Sequence, residues 1–352
     1  MALLRRSTCF SKSDSAEDKL VHSSRTICVT IDTEEEGLWG GDFPVRNCTT
    51  ENLRGLSRFQ GVCEKYGVPP TYLIDVPVLE DPIAVRELKS WQSPGRCEIG
   101  THCHPWCNPP IVSESISKRE SYLCNLPQEL QFEKLRWLTG RIADVFGVSP
   151  TSYRAGRYGF DRSTVGALVK LGYTIDSSVL PGFDYTATEG PNFKSYDRYP
   201  CRISDAGSQG DLLEVPITTG FSRAGFYGAR QRMRAVIDSP MGRWTKLASV
   251  SSRLGLTRHL KLSPEGTELR DLMGLVRSSL QDGVEHLVLM LHSTSLLPGY
   301  SPYAKDSHGV ERLYQRLEGI LDYATRQFDC SGCTLSDIPK RLADRGVGVT
   351  RR

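Results

Sequence analysis

The chain alternates short apolar runs with amphipathic stretches from about residue 26 onward, and this alternation limits what it can fold into. The opening reads TICVTID, then ENLRGLSRFQGVCEKYG with a helical pattern, then PTYLIDV, a helix near residues 83–91, and RCEIGTH. Short apolar strands separated by helices predict βαβ units, whose strands pair in parallel. The sequence therefore predicts an α/β fold, either a parallel sheet or a barrel with helices outside it.

The same alternation continues through the rest of the chain. A long amphipathic stretch covers residues 127–146, followed by TSYRAG, a helix over STVGALVKLG, and strands at YTIDSSV and LLEVPIT. A further helix is predicted within SPEGTELRDLMGLVRSSLQ, because a serine before Pro264 and a glutamate in the first turn favour a helix start. With the strand HLVLMLH and a last helix near residues 308–327, the pattern predicts one main domain over residues 25–342.

Three segments depart from this pattern. Residues 1–24 have scattered charges and no apolar core, which predicts a flexible N-terminal tail, no secretory signal and a cytoplasmic location. Residues 221–262 predict a basic helical insertion, and residues 343–352 predict a basic C-terminal tail. The sequence has no run of about eighteen apolar residues, so we expect no transmembrane segment.

The basic insertion has two interpretations. Between residues 221 and 261 it carries nine Lys or Arg against one acid, Asp238. These cations could form a solvated helical face, or they could bind an anionic group such as the diphosphate of a nucleotide-linked or lipid-linked sugar. The whole chain has 44 Lys or Arg against 41 Asp or Glu, a balance too even to predict nucleic-acid binding.

The eleven cysteines are odd in number and scattered along the chain, which predicts free thiols rather than a disulfide framework. The one close pair, Cys330 and Cys333, lacks a second pair or a nearby histidine. We therefore interpret it as structurally neutral and not as a zinc site.

The first predicted strand ends in the acidic run TIDTEEEG. Asp32 and Glu34 are two residues apart there, a spacing that points both carboxylates the same way on an extended backbone. The carboxyl ends of barrel strands are where active sites form. One carboxylate could therefore act as a base while the other binds a cation.

The third predicted strand ends in EIGTHCHPW, which repeats this spacing with imidazoles. His102 and His104 account for two of only seven histidines in the chain. Two imidazoles and one carboxylate form a catalytic zinc set, with three protein ligands and a position left open for water or substrate. The sequence therefore predicts a divalent metal, with Zn²⁺ preferred, held by His102, His104 and one carboxylate from the end of the first strand.

Two later motifs add charged side chains at strand ends. TSYRAGRYGFD supplies Arg154 and Arg157 in a turn broken by glycine, where a guanidinium can hold a carboxylate in a fixed geometry. His292 ends HLVLMLH, the last strong strand. Its position suits a general acid.

Taken in order, these motifs resemble a known family. TIDTEEEG, EIGTHCHPW, YRAGRYGFD, the IDSS run followed by Asp184 and Tyr185, and LMLHS are similar to the five motifs of NodB-type polysaccharide deacetylases, carbohydrate esterase family 4. The resemblance covers about residues 26–295. It implies an irregular (β/α) barrel, a divalent metal that is usually zinc, and hydrolysis of an N-acetyl or related acyl amide on a sugar.

The resemblance also implies roles for individual residues. Asp32 matches the aspartate that serves as base, and Glu34 matches the metal-binding acid. His102 matches the first metal histidine, Arg154 the arginine that orients the base, and His292 the late histidine that acts as acid. In the implied reaction the base activates a water for attack on the acyl carbon, and the acid protonates the departing amine.

The chain differs from the usual motifs in three places. Thr33 separates the two acids of the first motif, and the second acid is a glutamate. Trp106 occupies the position of the usual second metal histidine, so His104 is expected to replace that ligand. In the third motif RAGRYG replaces a proline-containing run. Four residues in these motifs are predicted to bind substrate: Trp106, Arg157, Tyr158 and Asp184.

Three functions remain open from the sequence. The first is a metal-dependent enzyme that removes an acyl group from a sugar, and the second is a hydrolase for another carbon–nitrogen bond. The third is a catalytically silent barrel that binds a saccharide or a protein partner. Asp32, Arg154 and His292 together favour an enzyme, because a binding module needs none of them.

Overall fold

The computed structural model describes residues 25–41, 43–204, 210–223, 258–344 and 349–351, together with residues 227, 232 and 236. The predicted N-terminal tail lies outside these residues, as do most of the basic insertion and part of the C-terminal tail. The expectations for those three segments therefore stay predictions.

Twelve strands are present in the described part of the chain. In chain order they are β1 (Thr26–Thr33), β2 (Thr71–Ile74), β3 (Glu98–Cys103), β4 (Ser152–Ala155), β5 (Ile175–Asp176), β6 (Cys201–Ile203), β7 (Leu212–Glu214), β8 (Thr219–Gly220), β9 (Leu260–Lys261), β10 (His286–His292), β11 (Ser331–Gly332) and β12 (Thr350–Arg351). Ten of them form one sheet in the order β10-β1-β2-β3-β4-β5-β7-β6-β12, with β11 also paired to β1. Only β6 and β7 pair in an antiparallel way within it.

Eight α-helices are described alongside these strands. They are α1 (Leu56–Lys65), α2 (Val76–Glu80), α3 (Pro82–Gln92), α4 (Gln128–Phe146), α5 (Arg162–Lys170), α6 (Leu269–Gln281), α7 (Ser307–Asp322) and α8 (Ile338–Asp344). Aspartates cap several of the starts. The Asp81 carboxylate accepts hydrogen bonds from the amides of Ile83 and Ala84 at 2.9 and 3.0 Å, and Pro82 supplies the first helical residue of α3.

The sheet curls into a half-barrel with helices on its outer face. All eight residues of β1 are buried, as expected for a parallel strand covered on both sides. The segments beside β8 and β9 are hydrogen-bonded to β10. The Thr218 amide donates to the Val288 carbonyl at 3.1 Å, and the Met290 amide donates to the Leu262 carbonyl at 3.0 Å. The predicted irregular (β/α) barrel is confirmed.

Two details differ from the sequence-based expectations. The helix predicted from Pro264 begins only at Leu269, so residues 263–268 form a loop. At the C-terminal end, Thr350–Arg351 forms a short strand that pairs in parallel with β6. Among the helices of the described residues, none combines the length and the apolar composition that a membrane-spanning segment needs.

Candidate active site

The carboxyl ends of β1, β3, β4 and β10 bring the predicted catalytic and metal-binding residues together. Asp32 is the register partner of His292, and His102 is the register partner of Arg154. A cavity of about 450 Å³ opens at this edge of the sheet, and Asp32, Glu34, both histidines of the third strand and His292 line it. Parallel pairing explains this convergence, because all these strands end at the same edge.

Arg154 fixes the carboxylate of Asp32. Its guanidinium is fully buried and donates to Asp32 Oδ1 at 2.7 Å, to Thr30 Oγ1 at 2.8 Å and to the Ser177 carbonyl at 2.7 Å. Burial alone would raise the pKa of Asp32, but the charge of Arg154, with those of His102 and His292, lowers it to about 2. Asp32 is therefore ionised throughout the neutral range.

His292 lies between two carboxylates. Its Nδ1 is 2.9 Å from Glu265 Oε2, and its Nε2 is 3.8 Å from Asp32 Oδ2. Glu265 is itself fixed, because its Oε1 accepts hydrogen bonds from the His292 amide at 3.1 Å and from the Ser295 hydroxyl at 2.6 Å. Burial alone would lower the pKa of His292, but Glu265, Glu34 and Asp32 raise it to about 8.

The three predicted metal ligands face one another. Glu34 Oε2 is 3.4 Å from His102 Nε2 and 3.5 Å from His104 Nε2, and one ligand atom from each residue lies within 4.8 Å of the others. Glu34 Oε1 and His104 Nε2 are buried and have no hydrogen-bond partner among the described residues. Buried polar atoms are rarely left unpaired, so this donor set fits a divalent cation.

Both imidazoles are oriented by their other ring nitrogen. His102 Nδ1 is 3.0 Å from the Arg154 carbonyl, and His104 Nδ1 is 2.8 Å from Glu35 Oε2. Histidines that bind metals usually make such a contact, which turns Nε2 towards the metal. Gly156 leaves room for the second ring, because a Cβ there would be 2.4 Å from His104 Cδ2 and 2.5 Å from the Cys103 carbonyl.

Behind His104 lies a fully buried polar cluster. Glu35 Oε1 accepts a hydrogen bond from Trp106 Nε1 at 2.7 Å, and Asp75 Oδ2 accepts one from the Glu35 amide at 3.2 Å. Burial and the charge of Glu35 raise the pKa of Asp75, whereas His104 and hydrogen bonds lower that of Glu35 to about 2 despite its burial. Glu35 is therefore ionised, and its carboxylate holds the His104 imidazole that faces the candidate metal site.

Trp106 differs from the prediction that it binds substrate. Its indole is only 1% exposed and does not line the cavity; it stacks on the His104 ring with centroids 4.2 Å apart. At the position of the usual second histidine, the chain therefore has a residue that orients His104 by its ring and by its hydrogen bond to Glu35. Trp106 therefore positions His104, which is one of the three candidate ligands.

Replacing Trp106 by phenylalanine should weaken metal binding while the protein stays folded. The phenyl ring keeps the stacking on His104 but removes the hydrogen bond to Glu35. Loss of an outer-shell partner lowers metal affinity by roughly 10- to 100-fold, which competition with a chelating indicator would measure. Trp91→Phe is the control, because that indole packs on Tyr72 away from the site. Equal affinities in wild type and Trp106→Phe would contradict this role.

The remaining predicted substrate-binding residues divide into two groups. Arg157 and Tyr158 line the cavity, in consecutive left-handed backbone conformations with φ of 53° and 59°. Asp184 does not line it. Its carboxylate pairs with Lys194 at 2.7 Å and accepts hydrogen bonds from Thr186, which lowers its pKa to about 2. Asp184 shapes the loop that carries Tyr185, which does line the cavity.

Several residues that line the cavity or lie directly behind it are not predicted from the sequence. The sequence predicts that Glu265 belongs to a helix start and that Lys261 belongs to the basic insertion. Lys261 ends β9 and Glu265 lies four residues after it, so the strand-end rule that identified Asp32 could have identified this segment. Four aromatic side chains also line the cavity: Tyr185 lies in the fourth motif, whereas Trp39, Tyr122 and Tyr303 belong to no motif.

A second group of possible ligands adjoins the first. Glu35, His104 and Cys107 also place one ligand atom each within 4.8 Å of the others. In this group, however, the carboxylate oxygens of Glu35 already pair with His104 Nδ1 and Trp106 Nε1. Because the first set has the unpaired atoms and faces the cavity, it is the better candidate.

Comparison with solved structures supports the fold. One similar structure is that of a putative polysaccharide deacetylase from Mycobacterium smegmatis. The superposition covers 99% of this chain and 98% of the mycobacterial chain, with a TM-score of 0.54 and 18% sequence identity. The superposition with the 4-alpha-glucanotransferase from Thermococcus litoralis covers 91% of this chain and 40% of that enzyme, with a TM-score of 0.48 and 13% identity. The superposition with the peptidoglycan deacetylase PdaC from Bacillus subtilis covers 92% of this chain and 93% of that chain, with a TM-score of 0.41 and 10% identity. The first likeness confirms the predicted resemblance at the level of the fold. No protein-family model and no curated protein sequence matches the chain.

Proposed function

We propose that this protein is a metal-dependent hydrolase that removes an N-acyl group, with acetyl preferred, from a sugar. One observation carries the proposal: a carboxylate fixed by Arg154 and an imidazole fixed by Glu265 face each other across 3.8 Å, beside a carboxylate and two histidines suited to a cation. This combination supplies a base, an acid and an electrophile in one cavity. The fold also supports the proposal, because it is similar to that of the putative polysaccharide deacetylase from Mycobacterium smegmatis.

The ligand set favours Zn²⁺. Two imidazoles and one carboxylate are typical of catalytic zinc sites that leave a coordination position open. When bound, the cation would polarise the acyl oxygen and lower the pKa of a nearby water. The charges of Glu34 and Glu35 raise the pKa of His104 despite its burial, so a cation at its Nε2 would displace a proton.

The residues of the chain divide the proton transfers between them. Asp32, kept ionised by Arg154, accepts the proton of the attacking water at Oδ2, the oxygen that Arg154 does not hold. His292 is kept protonated by Glu265 and donates from Nε2 to the departing amine. Glu265 cannot reach the substrate itself, because it is buried and bonded to His292 and Ser295, so it is a positioning residue.

The acid role of His292 predicts the pH dependence. Activity requires protonated His292, so it should be lost as the pH rises through the pKa of that group, about 8. Glu265→Gln removes the charge that raises this pKa and should move the alkaline limb of the pH–rate profile to lower pH. The control is Glu268→Gln, an exposed acid of the same loop paired with Arg316. An alkaline limb that stays in place in Glu265→Gln would argue against His292 as the acid.

A direct assay tests the function. The metal-loaded protein is incubated with N-acetylated sugars, sugar nucleotides and lipid-linked sugars, and release of acetate and of free amine is measured. Release that stops after chelation and returns with Zn²⁺ supports the proposal. No release from any of these compounds would favour a silent barrel.

We also propose a reducing compartment such as the cytoplasm, because the ten described cysteines are free thiols.

A further inference from the structure

Two cations line the active-site cavity without a carboxylate partner. Lys261 Nζ donates to the Tyr158 hydroxyl at 3.3 Å and lies 3.4 Å from Met290 Sδ. Arg157 donates to the hydroxyl of Tyr122 at 3.0 Å and to that of Ser121. Neither side chain forms an ion pair within the described part of the chain. Both are partly buried, so their charges are only partly compensated by water.

The two cations belong to one wall of the cavity. Tyr158 follows Arg157 in the chain, and its ring lies 5.8 Å from Lys261 Nζ. The Arg157 guanidinium lies over the Tyr122 ring at 4.2 Å and near the Phe43 ring at 5.0 Å, which holds its position. We call this wall, formed by Arg157, Tyr158 and Lys261, the cationic wall.

The charges elsewhere in the cavity are already balanced. Asp32 pairs with Arg154 at 2.7 Å, and His292 pairs with Glu265 at 2.9 Å. Glu34 belongs to the candidate metal set. Lys261 is close enough for its charge to act on Glu265, but that carboxylate is bonded to His292 and Ser295. The charge left over for a ligand is therefore positive and lies on the cationic wall.

We propose that the cationic wall binds an oxyanion, a carboxylate or a phosphate, carried by the acylated sugar itself. This inference rests on the proposed function and narrows its substrate class. A cavity of about 450 Å³ has the size of a small-molecule site, so the anion must lie on the reacting sugar or on the group directly attached to it. Arginine and lysine are the side chains that recognise carboxylates and phosphates, arginine through two oxygens at once.

Three probes that share one ring test the inference. They are the methyl glycoside of N-acetylglucosamine, which is neutral, the matching uronate, and N-acetylglucosamine 1-phosphate. Hydrogen bonds to charged groups contribute about 1.5–3 kcal/mol, so kcat/KM for an anionic probe should exceed that for the neutral probe by roughly 10- to 100-fold at low salt. Preference for the uronate identifies a carboxylate, and preference for the 1-phosphate identifies a phosphate. Equal kcat/KM values for all three would overturn the inference while the proposed function stands.

Variants locate the effect on the cationic wall. Arg157→Gln with Lys261→Gln should remove most of the preference, mainly through KM. Lys261→Gln alone should remove part of it, and it serves as the second variant if the double variant does not fold. Arg86→Gln with Lys89→Gln removes the same charge from the exposed face of α3 and should leave the preference intact. A preference that survives in folded Arg157→Gln/Lys261→Gln would overturn the assignment.

Failure of the proposed function can be told apart from failure of this inference. If no probe is hydrolysed, calorimetry with the same three probes measures binding alone. Tighter binding of an anionic probe by the wild type than by the Lys261→Gln variant would support the cationic wall without any turnover. Equal binding of neutral and anionic probes, or binding that the variants do not weaken, would overturn it.

Discussion

Asp32→Asn should remove nearly all turnover while the protein keeps its metal. The amide has nearly the same shape as the carboxylate and can still accept a hydrogen bond from Arg154, but it cannot take a proton from water. General base catalysis contributes about 10²- to 10⁴-fold, and we expect a loss of that size in kcat. Acetate release would measure turnover, and elemental analysis would measure the metal.

A matched control makes this result specific. Asp322→Asn changes a partly exposed aspartate at the end of α7, where it pairs with Arg326, and should keep full activity. Loss of the metal in Asp32→Asn would indicate that Asp32 is itself a metal ligand. The reaction would then need a different base. Retained turnover would contradict the role of Asp32 altogether.

His102→Ala should remove the metal and, with it, all activity. The change deletes one of three ligands, so the loss should exceed the roughly 10- to 100-fold change in metal affinity caused by outer-shell substitutions. We expect no metal to remain after dialysis, as measured by elemental analysis. His308→Ala is the control, because that histidine is exposed at the start of α7.

Cys107→Ser separates the two possible ligand groups. Cys107 belongs only to the second group, with Glu35 and His104, whereas His102 belongs only to the first. Loss of metal in His102→Ala with retention in Cys107→Ser supports the proposed set. The opposite pattern would place the metal behind His104, away from the cavity.

Most of the sheet could be predicted from the sequence because its central strands are buried on both faces. Such strands appear as apolar runs between amphipathic helices, and β1 and β10 are the clearest cases. Strands β6, β8, β9 and β12 have only two or three residues. Their pairing depends on the curvature of the whole sheet, so no local periodicity indicates them.

The candidate site could be predicted where its residues lie at the carboxyl ends of predicted strands. Asp32, Glu34, His102, Arg154 and His292 all follow this rule, and the structure brings them together. Glu265 was missed because a serine, a proline and an acid favour a helix start, whereas the helix begins four residues later. In this case, contacts with His292 and Ser295 outweigh local helix propensity.

The function of Trp106 could not be predicted from spacing alone. Counting from His102 places the indole where a ligand is expected, but spacing does not say which way a side chain points. The structure turns it towards Glu35, in a buried cluster formed by the segments that directly follow β1, β2 and β3. Such a cluster depends on three segments that are distant in sequence.

The pairing of β1 with β10 also bears on how the protein reaches its working state. This pairing joins residues 260 positions apart, such as Thr26 and His286, and it alone brings His292 to Asp32. The three candidate ligands lie within the first 104 residues. Contacts so distant in sequence carry a high loop-closure entropy and form slowly. Assembly of the metal site and arrival of the proton donor are therefore expected to be separate events during folding.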